Sequence, residues 1–353
     1  MANMKALIMP KVGQVEIVEK PIPVPGPDEV LVKTTAALIC TSDVHTVHGA
    51  LPVDDGVTLG HEALGVVAAC GSNVTGFQEG QRVAVNAITP CWTCRYCQNG
   101  YPSQCGGPLG GYQYTAARDG NMSEYFIVPN AKGNLAPIPD NITDAQAVYA
   151  TDMLSTGFMG AENCHLKLGD TAAVFAQGAV GLSATIGLSL LGASRIFAVE
   201  SIPKRQDLAR TYGATDIIDF SKGDPVQQIL DATGGEGVDA AIEALGQPVT
   251  WESCLRVTKA GGRVSNIGYH GENPAPLQVP LDAFGLGMAG KEIHSGLCPG
   301  GNDRMQRIFA LIGTGRFDPT LMTTHTFKFD DAVKAFHMMA NKEDGIIKPL
   351  IVF

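Results

Sequence analysis

The spacing of apolar and polar residues changes near residue 170. Before it, short runs rich in valine and threonine, such as EVLVKTTAALI, LGVVAAC and QRVAVNAI, are separated by turn sequences such as VPGPDE and GSNVTG. This pattern predicts β-strands joined by turns. After it, strand-like runs alternate with helix-like segments, in the order DTAAVFA, GLSATIGLSLLG, RIFAVE, KRQDLARTYG, TDIIDF, DPVQQILDATGG, VDAAIEAL, PVTWESCLRVTKAGG, RVSNIG and EIHSGL. Such alternation predicts βαβ units and a parallel sheet with right-handed crossovers.

The last 55 or so residues have a third pattern of apolar and polar positions. DRMQRIFALIGTG and DDAVKAFHMMANK have the spacing of amphipathic helices, and PLIVF reads as a closing strand. The pattern therefore predicts a β-rich first half, a doubly wound domain, and a tail that packs back on the first half.

One segment, residues 172–193, is uncharged and long enough to cross a bilayer. Gln177 and four glycines interrupt it, and strands and helices continue to alternate after it. We therefore expect a buried strand, a glycine loop and a helix, not a membrane span.

Composition narrows the function classes. The 353 residues suggest two domains, and the net charge of −10 argues against nucleic acid or an anionic membrane as a partner. No basic start followed by a short apolar core is evident, which favours a cytoplasmic protein. The nine cysteines are then expected to be thiols or metal ligands and not disulfides.

The sequence AQGAVG lies between the first strand and first helix of the doubly wound half. It matches the dinucleotide fingerprint at Gly178 and Gly181, with Ala179 and Val180 between them, although alanine stands where the pattern has its first glycine. Glu200 ends the next strand and could accept hydrogen bonds from adenosine ribose hydroxyls, while repelling a 2′-phosphate. The sequence predicts NAD(H) over NADP(H); the alternative for Glu200 is a solvated carboxylate at a strand end.

Four cysteines fall within fifteen residues in C-x2-C-x2-C-x7-C spacing: Cys91, Cys94, Cys97 and Cys105. Four thiolates on a short loop suit tetrahedral Zn²⁺ with no open position, which makes the site structural. An iron–sulfur cluster is the alternative.

A second group of metal-ligand types lies in CTSDVH and GHEALG. Cys40 and His61 form a mixed thiolate–imidazole pair if two strand ends converge. A third ligand is required, and Asp152, at the predicted domain junction, is the candidate; Asp43 and Glu62 compete with it.

GHEALGVVAACG, the four-cysteine loop and the order of the two halves resemble the zinc-dependent medium-chain alcohol dehydrogenases, essentially from end to end. CTSDVHTVHG, TDMLSTGF, NIGYHG and SGLCPGG are more similar to the tetrameric microbial secondary-alcohol enzymes. The resemblance implies a GroES-like catalytic domain over residues 1–152, a Rossmann domain over 153–297, and a return to the catalytic domain over 298–353. It also implies a homotetramer.

The resemblance assigns roles around the metal. It implies that three side chains hold a catalytic zinc: Cys40, His61 and Asp152. Glu62 lies beside them as a transient ligand or as a neighbour that only orients them, and Ser42 and His45 begin a proton relay.

The resemblance also implies residues for the pocket and the cofactor. A mostly apolar pocket has six contributors: Ala87, Trp92, Tyr112, Tyr269, Leu297 and Cys298. Further cofactor contacts are expected from four residues: Ser201, Ile267, Tyr269 and Lys348. For Lys348, a solvated lysine near the end of the chain is the alternative.

Two features depart from the secondary-alcohol enzymes. Several of them have a Gly-Ser-Arg-type sequence after the second Rossmann strand, suited to a 2′-phosphate, whereas this chain has Glu200, Ser201 and Ile202 there. Some of them also lack the four cysteines.

We therefore expect hydride transfer between NAD(H) and a small, secondary alcohol or ketone, with aldehydes also accepted. A polyol or amino-alcohol dehydrogenase is the alternative among enzymes. A non-catalytic zinc- and nucleotide-binding protein is the alternative from another class.

Overall fold

The computed structural model describes residues 2–271 and 276–353. The chain forms two compact units. The first contains the residues up to Ser155 together with Cys298–Phe353, and the second is Thr156–Leu297.

The strands are β1 Asn3–Met9, β2 Glu16–Pro21, β3 Val30–Leu38, β4 Val57–Thr58, β5 Glu62–Cys70, β6 Arg82–Val85, β7 Tyr125–Val128, β8 Leu135–Pro137, β9 Thr171–Phe175, β10 Arg195–Val199, β11 Asp216–Ile218, β12 Val238–Glu243, β13 Thr258–Asn266, β14 Glu292–Ser295, β15 Thr323–Lys328 and β16 Lys348–Val352. The α-helices are α1 Thr41–Val47, α2 Arg95–Gln98, α3 Ala131–Asn134, α4 Asp144–Ala147, α5 Met153–Glu162, α6 Ala179–Leu190, α7 Pro203–Thr211, α8 Pro225–Ala232, α9 Pro248–Val257, α10 Asn302–Gly313 and α11 Ala332–Asn341.

The main sheet of the first unit has the strand order β15-β16-β3-β5-β6-β8, with β7 also paired to β3. β3 and β5 are antiparallel and pair Leu38 with Glu62, so the residues after β3 lie beside those before β5. β16 is antiparallel to β3 and pairs Leu350 with Leu38. Three distant parts of the sequence therefore meet at one end of this sheet.

Apolar side chains from this sheet and from α11 form the core of the first unit. Val32, Ala37 and Ile351 are fully buried from the central strands, and Phe336 packs on them from α11. The amphipathic spacing of α11 thus buries one face of the helix and leaves the other to solvent.

The second unit contains a six-stranded parallel sheet in the order β11-β10-β9-β12-β13-β14. The strand order reverses between β9 and β12. In doubly wound folds, ligands bind outside the carboxyl ends of the strands at this point. The predicted fold class, a β-rich half plus a doubly wound half, is confirmed.

Residues 172–193 contain most of β9, a loop and the whole of α6, as the sequence predicts. Among the helices of residues 2–271 and 276–353, none has the length and apolar character needed to span a membrane.

One predicted boundary was wrong. The sequence placed KAGG in a helix, but α9 ends at Val257, and β13 begins at Thr258. The two β-branched residues favour extended backbone, and Thr258 pairs with Val238 of β12. Tertiary pairing therefore ends the helix one turn early.

Candidate active site

Four potential metal ligands converge where β3 ends and β5 begins. Cys40 precedes α1, His61 precedes β5, Glu62 opens β5, and Asp152 lies just before α5. One ligand atom from each of these four residues lies within 4.8 Å of all the others. The Nε2 atom of His61 is 3.6 Å from Oδ2 of Asp152 and 4.0 Å from Oε1 of Glu62.

These separations fit a single zinc ion. With Zn–N and Zn–O bonds near 2.1 Å, two ligands at a tetrahedral angle lie about 3.4 Å apart. Glu62 is fully buried, and among the described residues its Oε2 atom has no hydrogen-bond partner. A buried carboxylate oxygen without a partner is costly, and a cation at the centre of this cluster would satisfy it.

Asp43 links the two strand ends from behind the cluster. Its Oδ2 atom accepts the N–H of Cys40 at 2.9 Å, and its Oδ1 atom accepts the N–H of Gly60 at 3.2 Å. Oδ1 also lies 3.2 Å from Nδ1 of His61, on the ring edge opposite the cluster. Burial raises the pKa of Asp43, but His61 and the N–H of Cys40 outweigh burial, and the pKa lies below its usual value.

The sequence considered Asp43 only as a competing ligand, whereas the structure places its carboxylate next to Nδ1 of His61. The available signal was the spacing from Cys40, because an acidic residue at the third helical position often accepts the N–H of the residue before the helix.

Lys348 supplies a positive charge beside the cluster. Its ammonium group donates to the Glu62 carboxylate, and to the carbonyl of Ile39 at 3.0 Å. The side chain is 1% exposed. Burial lowers the pKa of Lys348, but the charges of Cys40 and Glu62 outweigh burial and raise it. Lys348 is therefore a buried cation, and its predicted cofactor contact stays a prediction.

Ser42 and His45 lie on α1, next to the cluster. They are three positions apart and therefore on one face of the helix. The Oγ atom of Ser42 is 3.5 Å from the Sγ atom of Cys40. Both side chains are half-buried, so each is partly accessible to solvent.

The structure brings the four cysteines of the loop together. The Sγ atom of Cys94 is 3.5 Å from that of Cys97 and 3.9 Å from that of Cys105, close to the ~3.8 Å expected around tetrahedral zinc. The hydroxyl and N–H of Thr93 lower the pKa of Cys91 to about 6, whereas burial raises that of Cys97 to about 12. A bound cation would be needed to hold all four as thiolates.

The glycine-rich loop follows β9 at the point where the strand order reverses. Ala176, in the first fingerprint position, adopts a φ of +76°, the region for which glycine is usually required. A Cβ on Gly181 would lie 1.9 Å from the carbonyl oxygen of Ala176, so only glycine fits there. Gly178 precedes α6, and Ala179 and Val180 form its first turn, with N–H groups suited to a pyrophosphate.

Glu200 directly follows β10 and is 5% exposed. Its carboxylate accepts the N–H groups of Ser201 at 2.8 Å, Ile202 at 3.0 Å and Gln177 at 3.3 Å. Arg205 lies 3.7 Å from Oε2. Glu200 therefore joins the glycine-rich loop to the start of α7, and it is not the solvated carboxylate of the alternative interpretation.

Comparisons with known proteins decide the family. The model of the alcohol dehydrogenase GroES-like domain matches residues 26–140, and that of the zinc-binding dehydrogenase matches residues 179–312. An alcohol dehydrogenase of Cupriavidus necator is 44% identical over 361 residues, covering 98% of each chain. This chain belongs to the zinc-binding alcohol dehydrogenases.

Two further relatives are similar to this dehydrogenase over almost their whole length. The NADP-dependent isopropanol dehydrogenase of Thermoanaerobacter brockii is 44% identical over 351 residues, covering 99% of each chain. The structure of alcohol dehydrogenase TADH from Thermus sp. ATN1 superposes with a TM-score of 0.89 at 31% identity, covering 99% of each chain. The zinc-dependent medium-chain family predicted from sequence is confirmed.

The predicted pocket residues of the dehydrogenase lie in both units. In the first, Ala87 is buried and donates its N–H to the carbonyl of Thr151, next to Asp152. Cys298 is also buried, with its thiol 3.2 Å from Oδ1 of Asn86. Their pocket role stays a prediction.

Trp92 has different surroundings. Its Nε1–H donates to Oδ1 of Asn134 at 2.7 Å, and a Cβ on Gly133 or Gly301 would lie within 2.7 Å of its ring. The indole of this loop residue therefore packs between two glycines, and its pocket role stays a prediction.

The remaining predicted contacts belong to the second unit. Ile267 follows β13 and donates its N–H to the carbonyl of Glu243. Tyr269 is half-buried, and a Cβ on Gly246 would lie 2.0 Å from its carbonyl oxygen. Leu297, the last residue of this unit, is also half-buried.

Proposed function

We propose that this dehydrogenase transfers hydride between NAD(H) and a small secondary alcohol or its ketone. The proposal includes one zinc at Cys40, His61 and Asp152 and a second zinc at the four-cysteine loop. The observation that carries it is the buried cluster of a thiol, an imidazole and two carboxylates whose spacing fits one zinc ion, with Ser42 beside it.

Each residue has a defined task in this proposal. When bound, zinc would act as a Lewis acid towards the substrate oxygen. Ser42 takes the hydroxyl proton of the alcohol, and His45, one turn further along α1, passes it towards solvent. In the reverse direction the same two residues return the proton to the reduced product.

The preference for a secondary alcohol is supported by the names of relatives. The Thermoanaerobacter brockii relative is named an isopropanol dehydrogenase. Another relative is named for a diol. It is the 2R,3R-butanediol dehydrogenase of Bacillus subtilis, whose solved structure matches at 27% identity and a TM-score of 0.84.

The NAD preference opposes those names, since four of the relatives are called NADP-dependent. It is supported by Glu200, whose carboxylate lies at the end of β10 beside the glycine-rich loop. A carboxylate repels a 2′-phosphate and accepts hydrogen bonds from ribose hydroxyls. The guanidinium group of Arg205 is close to that carboxylate and partly neutralises the negative charge of Glu200.

Two further elements of the proposal concern the assembly and location of the enzyme. We propose a homotetramer in the cytoplasm. All nine cysteines lie in the described part of the chain and are free of disulfides, as is usual for intracellular proteins. Light scattering on the purified enzyme tests the tetramer.

Steady-state kinetics test the reaction. We expect NADH to be oxidised with acetone faster than with a ketose derived from a polyol, and NAD⁺ to give a higher kcat/KM than NADP⁺. Metal analysis should find two zinc atoms per chain. Full activity in a chelator-treated enzyme without divalent metal would refute the proposal, and equal or better turnover with NADPH would refute the NAD assignment.

Ser42→Ala tests the proton transfer. We expect kcat to fall by roughly 10²-fold, as is usual when a general acid–base group is lost, with both zinc atoms retained. His48→Ala, on a histidine that follows α1, serves as the control and should leave kcat unchanged. Wild-type turnover in Ser42→Ala would remove Ser42 from the mechanism.

A further inference from the structure

The phenol of Tyr112 lies against the edge of His61 that faces away from the metal cluster. The Tyr112 hydroxyl oxygen is 3.1 Å from Nδ1 of His61, whereas Nε2 of the same ring faces Asp152 at 3.6 Å. The two ring centroids are 5.2 Å apart, with an angle of 69° between the planes. Tyr112 thus contacts His61 through both its oxygen and its ring.

Nδ1 of His61 therefore has two oxygen neighbours, the Tyr112 hydroxyl and Oδ1 of Asp43 at 3.2 Å. A histidine that binds metal through Nε2 must carry its one proton on Nδ1. Two oxygens thus share a single N–H donor.

Asp43 by itself is a weak orienting group for this ring. Charge-assisted N–H···O bonds are usually 2.7–2.9 Å long, and the 3.2 Å separation here exceeds that range. The carboxylate is held in place by the N–H groups of Cys40 and Gly60, so it cannot move closer to His61 without losing them. The Tyr112 hydroxyl oxygen is a second acceptor for the same N–H.

We propose that Tyr112 is a positioning residue for His61: its hydroxyl shares the Nδ1–H with Asp43 and its ring edge fixes the imidazole plane, so that Nε2 stays aimed at the metal position. The inference rests on the proposed zinc at Cys40, His61 and Asp152. It adds a role that the sequence did not assign to Tyr112, which the resemblance placed only in the pocket.

Zinc release tests this role directly. Tyr112→Phe keeps the ring contact and removes only the oxygen. Losing such a partner usually lowers metal affinity about 10–100-fold. If the weaker binding comes from faster dissociation, the zinc of the Cys40 cluster is transferred to a chromogenic chelator about 10–100-fold faster than in the wild type, which is the result we expect. The zinc at the four-cysteine loop should be released at the wild-type rate. In the cobalt-substituted enzyme, the visible absorption of the metal should shift.

Tyr114→Phe is the matched control. Tyr114 is a fully buried tyrosine of the first unit, whereas Tyr112 is half-buried, and the Tyr114 hydroxyl donates to the carbonyl of Ile127 at 3.0 Å. Its loss should lower stability slightly and leave zinc release unchanged. If both variants release zinc equally fast, general loosening of the unit explains the effect, and the proposal is overturned.

The remaining outcomes separate this inference from the proposed function. A wild-type enzyme that holds zinc only at the four-cysteine loop refutes the catalytic metal site itself. A wild type with two zinc atoms, combined with wild-type release and cobalt spectrum in Tyr112→Phe, refutes the role of Tyr112 alone. A side chain that only lines the pocket would change the KM for the ketone and leave the release rate untouched, which also overturns the proposal.

Discussion

Replacing Lys348 by methionine should destabilise the first unit strongly. Methionine retains the length and apolar stem of the side chain but removes the ammonium group. The change leaves the Glu62 carboxylate and the Ile39 carbonyl without the donor that they share in the wild type. Both Lys348 and Glu62 are at most 1% exposed, so water cannot replace that donor.

The expected magnitude follows from the burial of the pair. Removing one partner of a buried ion pair costs about 3–5 kcal/mol, because an uncompensated charge remains. That is a large part of the ~5–15 kcal/mol that stabilises a typical domain. Lys348→Met combined with Glu62→Gln should recover most of the loss, because the carboxylate left without its partner is then neutral.

Urea unfolding of the metal-free protein measures this effect without a contribution from zinc. The chain has two tryptophans, Trp92 in the first unit and Trp251 in the second. In a Trp251→Phe background, fluorescence therefore reports on the first unit alone. Lys5→Met is the control, because Lys5 pairs with Asp330 at the exposed surface and should have little effect.

Two results would refute the reasoning on Lys348. A loss of less than about 1 kcal/mol would put the pair in the class of exposed salt bridges. An equal loss in the double variant would show that the stem of the side chain, and not its charge, stabilises the sheet.

Three further predictions concern the other parts of the chain. Gly181→Ala should abolish binding of the nicotinamide cofactor, measured by NADH fluorescence, because the new Cβ would lie 1.9 Å from a backbone oxygen. In Gly178→Ala, the control, the new Cβ enters open space and the fold should stay intact. Normal binding in Gly181→Ala would contradict the close packing. Cys94→Ser should release one zinc and lower the melting temperature, and unchanged thermal stability would exclude a structural role for the loop. Burial raises the pKa of Asp239, but Lys259 and Thr171 outweigh burial, and the pKa lies below 3.8. Asp239→Asn should therefore lower the free energy of unfolding at pH 7, and this loss relative to the wild type should shrink as the pH falls below 3.8. A loss that grows in acid would contradict this sign.

The fold class was predictable because its signals are local. Each strand of the second unit is a short apolar run, and each is followed by a segment with helical spacing, so the order β9-α6-β10-α7 could be read directly from the sequence. The boundary at Thr258 was missed because pairing with β12, and not local preference, ends α9 there.

The candidate site was only partly predictable. The four cysteines of the loop lie within fifteen residues, and their spacing alone indicates a metal site. Asp152 could be named only from its expected position at the domain junction and from resemblance, because nothing in the spacing relates it to Cys40. The contact between Lys348 and Glu62 joins residues 286 positions apart. The resemblance implied a cofactor contact for Lys348, with a solvated side chain as the alternative, and neither interpretation indicated Glu62 as its partner.

The return of the chain to the first unit determines the order in which the protein can fold during synthesis. Lys348 contacts the carbonyl of Ile39 across 309 residues, which a ribosome takes roughly 15–60 s to translate. Until β16 is synthesised, Glu62 lacks the counter-charge of Lys348 and the end of β3 lacks its β16 partner. The second unit, Thr156–Leu297, is complete before β16 is made. The nascent N-terminal half is therefore the part that chaperones would have to shield.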